Sequence, residues 1–172
     1  MSSVLQTANA LGCELAGEVV RTFGRVRVRV TGMSMIPAVW PGDVLVVERR
    51  AAEKIERGEI AVAEREGRLV AHRVIGPTAD AGLKPTATNA GTITLRGDSL
   101  LAADEPLRAE ELLGTVVSIE RGTGARRPRR KLGIGARMLA GMARRSSMAA
   151  RLLVRLHAIF TARPERVALC KS

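Results

Sequence analysis

The chain has 172 residues, 46% of them hydrophobic, and a formal charge of +11; that excludes a disordered chain and suits one domain with a proper core. The charge is unevenly spread, since residues 1–120 hold 14 Lys/Arg against 16 Asp/Glu while residues 121–172 hold 14 against 1. A tail of that kind seeks an anionic surface such as phospholipid headgroups, nucleic acid or an acidic partner. With two Phe, one Trp and no Tyr, the composition disfavours a reader of single strands, which stacks bases on rings, although phosphate contacts need only charge.

Residues 3–22 place Val4, Leu5, Ala8, Leu11, Leu15, Val19 and Val20 at spacings of three and four, which predicts an amphipathic helix ending before Gly24, so that residues 1–24 form an N-terminal helical unit. From Arg25 to Val30 arginine and valine alternate strictly, the pattern of a strand with its valines on a core and its arginines in water. Further strand-like runs at Val44–Glu48, Glu59–Ala63, Arg68–Ile75, Thr92–Leu95 and Gly114–Ile119 are separated by turn formers such as Pro41-Gly42 and Glu66-Gly67. The fold class is therefore mostly β over residues 25–120. Residues 76–91 read as a surface loop, and residues 121–135, which open with RGTGARRPRR, as a flexible basic linker.

Beyond the linker, residues 136–172 carry Met138, Leu139, Met142, Ala149, Leu152, Leu153, Leu156, Ile159 and Phe160 on one stripe, with Arg137, Arg144, Arg151 and Arg155 recurring beside it and Pro164 as the stop. This predicts a basic C-terminal amphipathic helix that either packs on the body or makes a peripheral contact with an anionic membrane through 136–160. No basic-then-apolar leader occupies roughly the first 30 residues, and no apolar run reaches the ~18 residues of a span. The expected location is cytoplasmic or peripheral to a membrane. Cys13 and Cys170 have no second Cys or His at ligand spacing, so they read as buried or inert thiols; no metal site and no cofactor is expected.

The segment that carries chemistry is Thr31-Gly-Met-Ser-Met-Ile-Pro-Ala-Val-Trp-Pro-Gly-Asp43, followed by an apolar strand. A serine hydroxyl is a poor nucleophile on its own. It must sit on an exposed turn where a base reaches it and a backbone N–H faces the developing oxyanion. Ser34 has that placement, with Gly32 and Met33 shaping the turn and Asp43 holding it through its carboxylate. A second segment, Ala71-His-Arg-Val-Ile-Gly76, ends the hairpin that starts at Gly58, and a third, Leu95-Arg-Gly-Asp-Ser-Leu-Leu-Ala-Ala-Asp104, holds two aspartates six residues apart.

These three segments, in this order, resemble the signal peptidase I and self-cleaving SOS-repressor superfamily of serine peptidases. The His72-Arg73-Val74 string is similar to the ER-type and sporulation-type branch, where His replaces the usual Lys base. The resemblance spans about residues 26–120, Gly114–Ile119 resembling the closing strand, and it implies a signal-peptidase-like β domain acting on a peptide or protein substrate. It makes Ser34 the nucleophile, His72 the general base, Asp98 the first choice for the carboxylate that orients the imidazole, and Asp104 the second. A neutral imidazole accepts a serine proton near pH 7 without the burial a lysine needs, so the replacement is chemically consistent.

Two departures stand out. No transmembrane helix flanks the domain, and Gly32 stands where many signal peptidases carry an oxyanion-assisting hydroxyl. Two other readings remain open. The repressor relatives cut themselves at Ala-Gly bonds, and Ala16-Gly17 is such a pair; alternatively the β domain is a silent scaffold whose basic tail does the binding.

Overall fold

The structure, a computed structural model, describes residues 2–77, 93–145 and 151–155. Helix α1 spans Ser2–Phe23, and seven strands follow: β1 Arg25–Arg29, β2 Val44–Glu48, β3 Ile60–Arg65, β4 Arg68–Pro77, β5 Ile93–Arg96, β6 Leu112–Arg121 and β7 Gly124–Arg126; helix α2 is Ile134–Arg145. All the strand pairings are antiparallel, in the order β1-β2-β6-β3-β4-β5 with β7 on β6. The mostly β fold with an N-terminal and a C-terminal helix is what the sequence patterns imply.

Alternation decides which face each strand buries. Ile60 and Val62 of β3 join Met35, Val39, Leu45, Val47, Val116 and Ile119 in the main core, with Val26, Val28 and Val30 packed against it. Ala61 and Ala63 face the other way, into a second cluster with Val74, Ile93, Leu95 and Leu107. Strand β3 is thus buried on both faces, which its apolar run Ile-Ala-Val-Ala anticipates. The β1 arginines are exposed, and Arg25 and Arg27 meet Glu48 and Glu120 across the strands; surface pairs of this kind contribute at most about 1 kcal/mol. Helix α1 packs Ala16 and Val20 onto Leu113, Val26 and Leu69.

The β3–β4 hairpin closes through Glu66 and Gly67, both at positive φ, 51° and 67°, the backbone of a two-residue turn whose twist matches the strands. Gly76 and Pro77, expected to open a loop over 76–91, still belong to β4, and residues 78–92 lie outside those described.

The reading of residues 121–135 as a free linker is corrected. Chain reversal at Gly122 (φ 56°) returns β7 along β6, and Arg126 donates to the Ala38 carbonyl (2.8 Å). Arg73, a residue only 8% exposed, donates through its guanidinium to the carbonyls of Gly58 and Arg129, each at 2.8 Å. Gly58 (φ 92°) has no room for a side chain, because a Cβ there would lie 2.5 Å from the Arg130 carbonyl. The linker is held by its backbone carbonyls rather than by apolar side chains. Of the expected C-terminal helix, 134–145 and 151–155 are helical; the rest, Pro164 included, lies outside the described residues.

Candidate active site

Ser34 opens a tight turn at the end of the segment that extends β1. Two backbone bonds tie this segment to the start of β2, Val30 N to Asp43 O and Gly42 N to Val30 O, both 2.8 Å. Immediately after Ser34, the side chains of Met35, Ile36 and Val39 are buried to 3%, 0% and 0% exposure, so the turn is pinned from below while the hydroxyl stays at the surface of the core. Asp43 accepts from the Trp40 N–H (2.9 Å) and from Arg121 through two bonds of 2.7 and 2.6 Å. The Ser34 carbonyl accepts from Ser99 N and the Met33 carbonyl from Ser99 Oγ, both at 2.9 Å.

His72 lies on β4 at 6% exposure. Its Nε2 is 2.9 Å from Ser34 Oγ, and its Nδ1 is hydrogen-bonded to Asp104 Oδ2. A carboxylate can only accept, so the proton is assigned to Nδ1 and the free lone pair of Nε2 faces the serine hydroxyl. Asp104 is held beside β5 by its own N–H, which donates to Leu95 O at 2.8 Å. The Ser34 N–H has no backbone acceptor among the described residues. Gly32 and Met33 are exposed beside it.

The expectation that Asp98 orients the imidazole is corrected. Asp98 accepts two bonds of 2.7 Å from Arg73, from Nε and Nη2, and both side chains are almost fully buried. The physical reason is the two-residue period of a strand: His72 and Arg73 are consecutive on β4 and point to opposite faces. Each face therefore receives its own carboxylate, Asp98 immediately after β5 and Asp104 after the intervening turn. Sequence reasoning missed Arg73, Ser99 and Arg121, although the period-two rule applied to His-Arg signals the need for two separate acids.

A cavity of about 610 Å³ adjoins the pair, walled by residues 28–32, by residues 68–72 of β4, and by Gly12 and Cys13 of α1. Among the described residues no lysine lines it. Strand β1 is an edge strand, and β5 pairs with β4 only from Arg73 onward, so among the described residues two free strand edges border this space. Burial, with the Glu64 charge nearby, pushes the Cys13 thiol above its ordinary value; its Sγ–H donates to Gly67 O at 3.1 Å.

The structure thus brings a serine and a histidine into contact at one end of an antiparallel β domain. A model described as Peptidase S24-like matches residues 13–103, just over half of the chain. The chain belongs to the peptidase S24-like family, which includes self-cleaving repressors and signal peptidases. The match stops one residue short of Asp104. A search of curated proteins gives no match. Among the described residues no helix is long and apolar enough to cross a membrane.

Proposed function

We propose that the protein is a serine endopeptidase that cuts a peptide or leader segment, with Ser34 as nucleophile, His72 as general base and Asp104 as the group orienting the imidazole. The observation that carries this reading is the continuous contact from Ser34 Oγ through both nitrogens of His72 to Asp104. The substrate lies extended between the free edges of β1 and β4, adding main-chain hydrogen bonds on either side.

Ser34 Oγ attacks the scissile carbonyl carbon as its proton passes to His72 Nε2, and the carbonyl oxygen becomes an oxyanion facing the Ser34 N–H. His72 then gives that proton to the departing amine nitrogen as the C–N bond breaks, leaving an acyl ester on Ser34. A water molecule, deprotonated by His72, hydrolyses the ester and restores the serine hydroxyl. Asp104 keeps the imidazole in the required tautomer and stabilises the imidazolium.

Self-cleavage at Ala16-Gly17 has less support, because both residues lie in the interior of α1 and Ala16 is packed on Leu113. That bond would reach Ser34 only after the helix unwound. The test is digestion of a peptide library followed by mass spectrometry. Specific cleavage by the wild type that Ser34→Ala and His72→Ala both lose supports the assignment; equal cleavage by Ser34→Ala refutes it.

A further inference from the structure

We propose that the face formed by α2 and the cleft beneath it is a docking surface for a bilayer containing anionic phospholipid. Two different features meet there. The cleft, about 1180 Å³, lies between α2 and the β4–β5 edge and is lined by Arg57, Arg96, Lys131, Arg137 and Arg144. Its one acid among the described residues, Asp98, is already paired with Arg73. Among the described residues, Arg57, Arg96, Lys131 and Arg137 have no carboxylate partner.

Along the same helix Ile134, Met138 and Met142 recur every four residues and are 81%, 68% and 57% exposed, while Ala140 and Ala143 face the body. Ile134 and Met138 also border the cationic cleft. A soluble polyanion would satisfy the cations and leave this apolar stripe in water. A headgroup layer over acyl chains satisfies both at once. Outside the described residues the sequence adds two acidic side chains, Asp80 and Glu165, against four Lys/Arg, so the chain's positive excess grows rather than shrinks.

The surface is joined to the turn that carries Ser34. Arg144 Nε donates to the Asp98 carbonyl at 3.0 Å, and the next residue, Ser99, donates to the Ser34 carbonyl. A bilayer seated on α2 therefore holds the Ser34 region at a fixed height above the lipid. This docking stands apart from the peptidase reading, since a scaffold without activity would dock in the same way.

The test is co-sedimentation of the full chain with phosphatidylcholine vesicles, with and without phosphatidylglycerol, at about 0.1 M salt, where the screening length is roughly 10 Å. Binding should require phosphatidylglycerol. Lys131→Glu with Arg137→Glu should weaken it at least about 25-fold, at about fivefold per cation lost and with two repelled carboxylates added. Met138→Ser with Met142→Ser should weaken it at least about tenfold through lost apolar insertion. All four side chains are exposed, so circular dichroism should stay unchanged.

Equal binding to pure phosphatidylcholine would overturn the proposal, as would indifference to the methionine substitutions. Tighter binding to a DNA duplex, unaffected by those substitutions, would overturn it in favour of nucleic acid. Self-association without vesicles that Met138→Ser abolishes would overturn it in favour of a second copy of the chain.

Discussion

Replacing Asp104 and Asp98 separately by asparagine tests the division of labour between the two acids. Asp104 touches the imidazole and its side chain is 17% exposed, so water compensates much of what the carboxylate loses, and the stability change should stay within about 1 kcal/mol. Its effect should fall on activity: without a carboxylate at Nδ1 the tautomer is no longer fixed and the imidazolium is no longer stabilised. Losses of about 10³–10⁴-fold in kcat are expected for that change, or roughly 4–5.5 kcal/mol of barrier at about 1.36 kcal/mol per tenfold. Asp98→Asn should do the reverse.

Asp98 forms a bidentate pair with Arg73, their side chains 4% and 10% exposed, and removing one member of such a pair costs about 3–5 kcal/mol. The carbonyls of Gly58 and Arg129 still accept from Arg73, which favours the low end. At about 2–4 °C per kcal/mol for a domain of this size, the melting temperature should fall by roughly 6–12 °C. The assays are calorimetry and kcat/KM on a cleavable peptide, measured below the melting range of both variants. Asp98→Asn dead at unchanged melting temperature, together with a fully active Asp104→Asn, would refute the reasoning.

Three further outcomes are expected. Gly97→Ala would put a Cβ 2.6 Å from the Ser34 carbonyl and 2.9 Å from Leu100, so the serine turn must shift and kcat/KM should drop at least about 100-fold; steady-state kinetics checks this. Because the folded state raises the Cys13 thiol above its ordinary value, its contribution to stability is complete below about pH 9 and is lost as pH rises further. Urea midpoints above that pH should therefore fall more steeply for the wild type than for Cys13→Ala. A chain ending at Gly133 should fold, whereas one ending at Glu120 loses β7, the Arg121 pair to Asp43 and the carbonyl partner of Arg73, and should melt well below it by circular dichroism.

Much of the fold is legible because strict alternation and turn chemistry mark it. Arg25–Val30 reads as a half-buried strand, and Glu66-Gly67 as the hairpin between β3 and β4. Strand β7 and the ordered stretch beyond it were not legible, since RGTGARRPRR has no apolar period; its anchor is Arg73, whose burial depends on carbonyls 56 and 57 residues away in sequence. In the site, the turn residues around Ser34 and the His-Arg-Val string were readable, but the six-residue spacing of Asp98 and Asp104 could not tell which one meets the imidazole. That choice is made by the alternation of His72 and Arg73 on β4 combined with the path of 98–104 around β5.

The most direct test of the central claim is intact-mass analysis after treatment with a serine-reactive fluorophosphonate. The Ser34–His72–Asp104 arrangement predicts one adduct per chain in the wild type, mapped to Ser34, absent in Ser34→Ala and formed far more slowly in His72→Ala. An unmodified wild type at neutral and alkaline pH, or an adduct whose rate His72→Ala leaves unchanged, would contradict it.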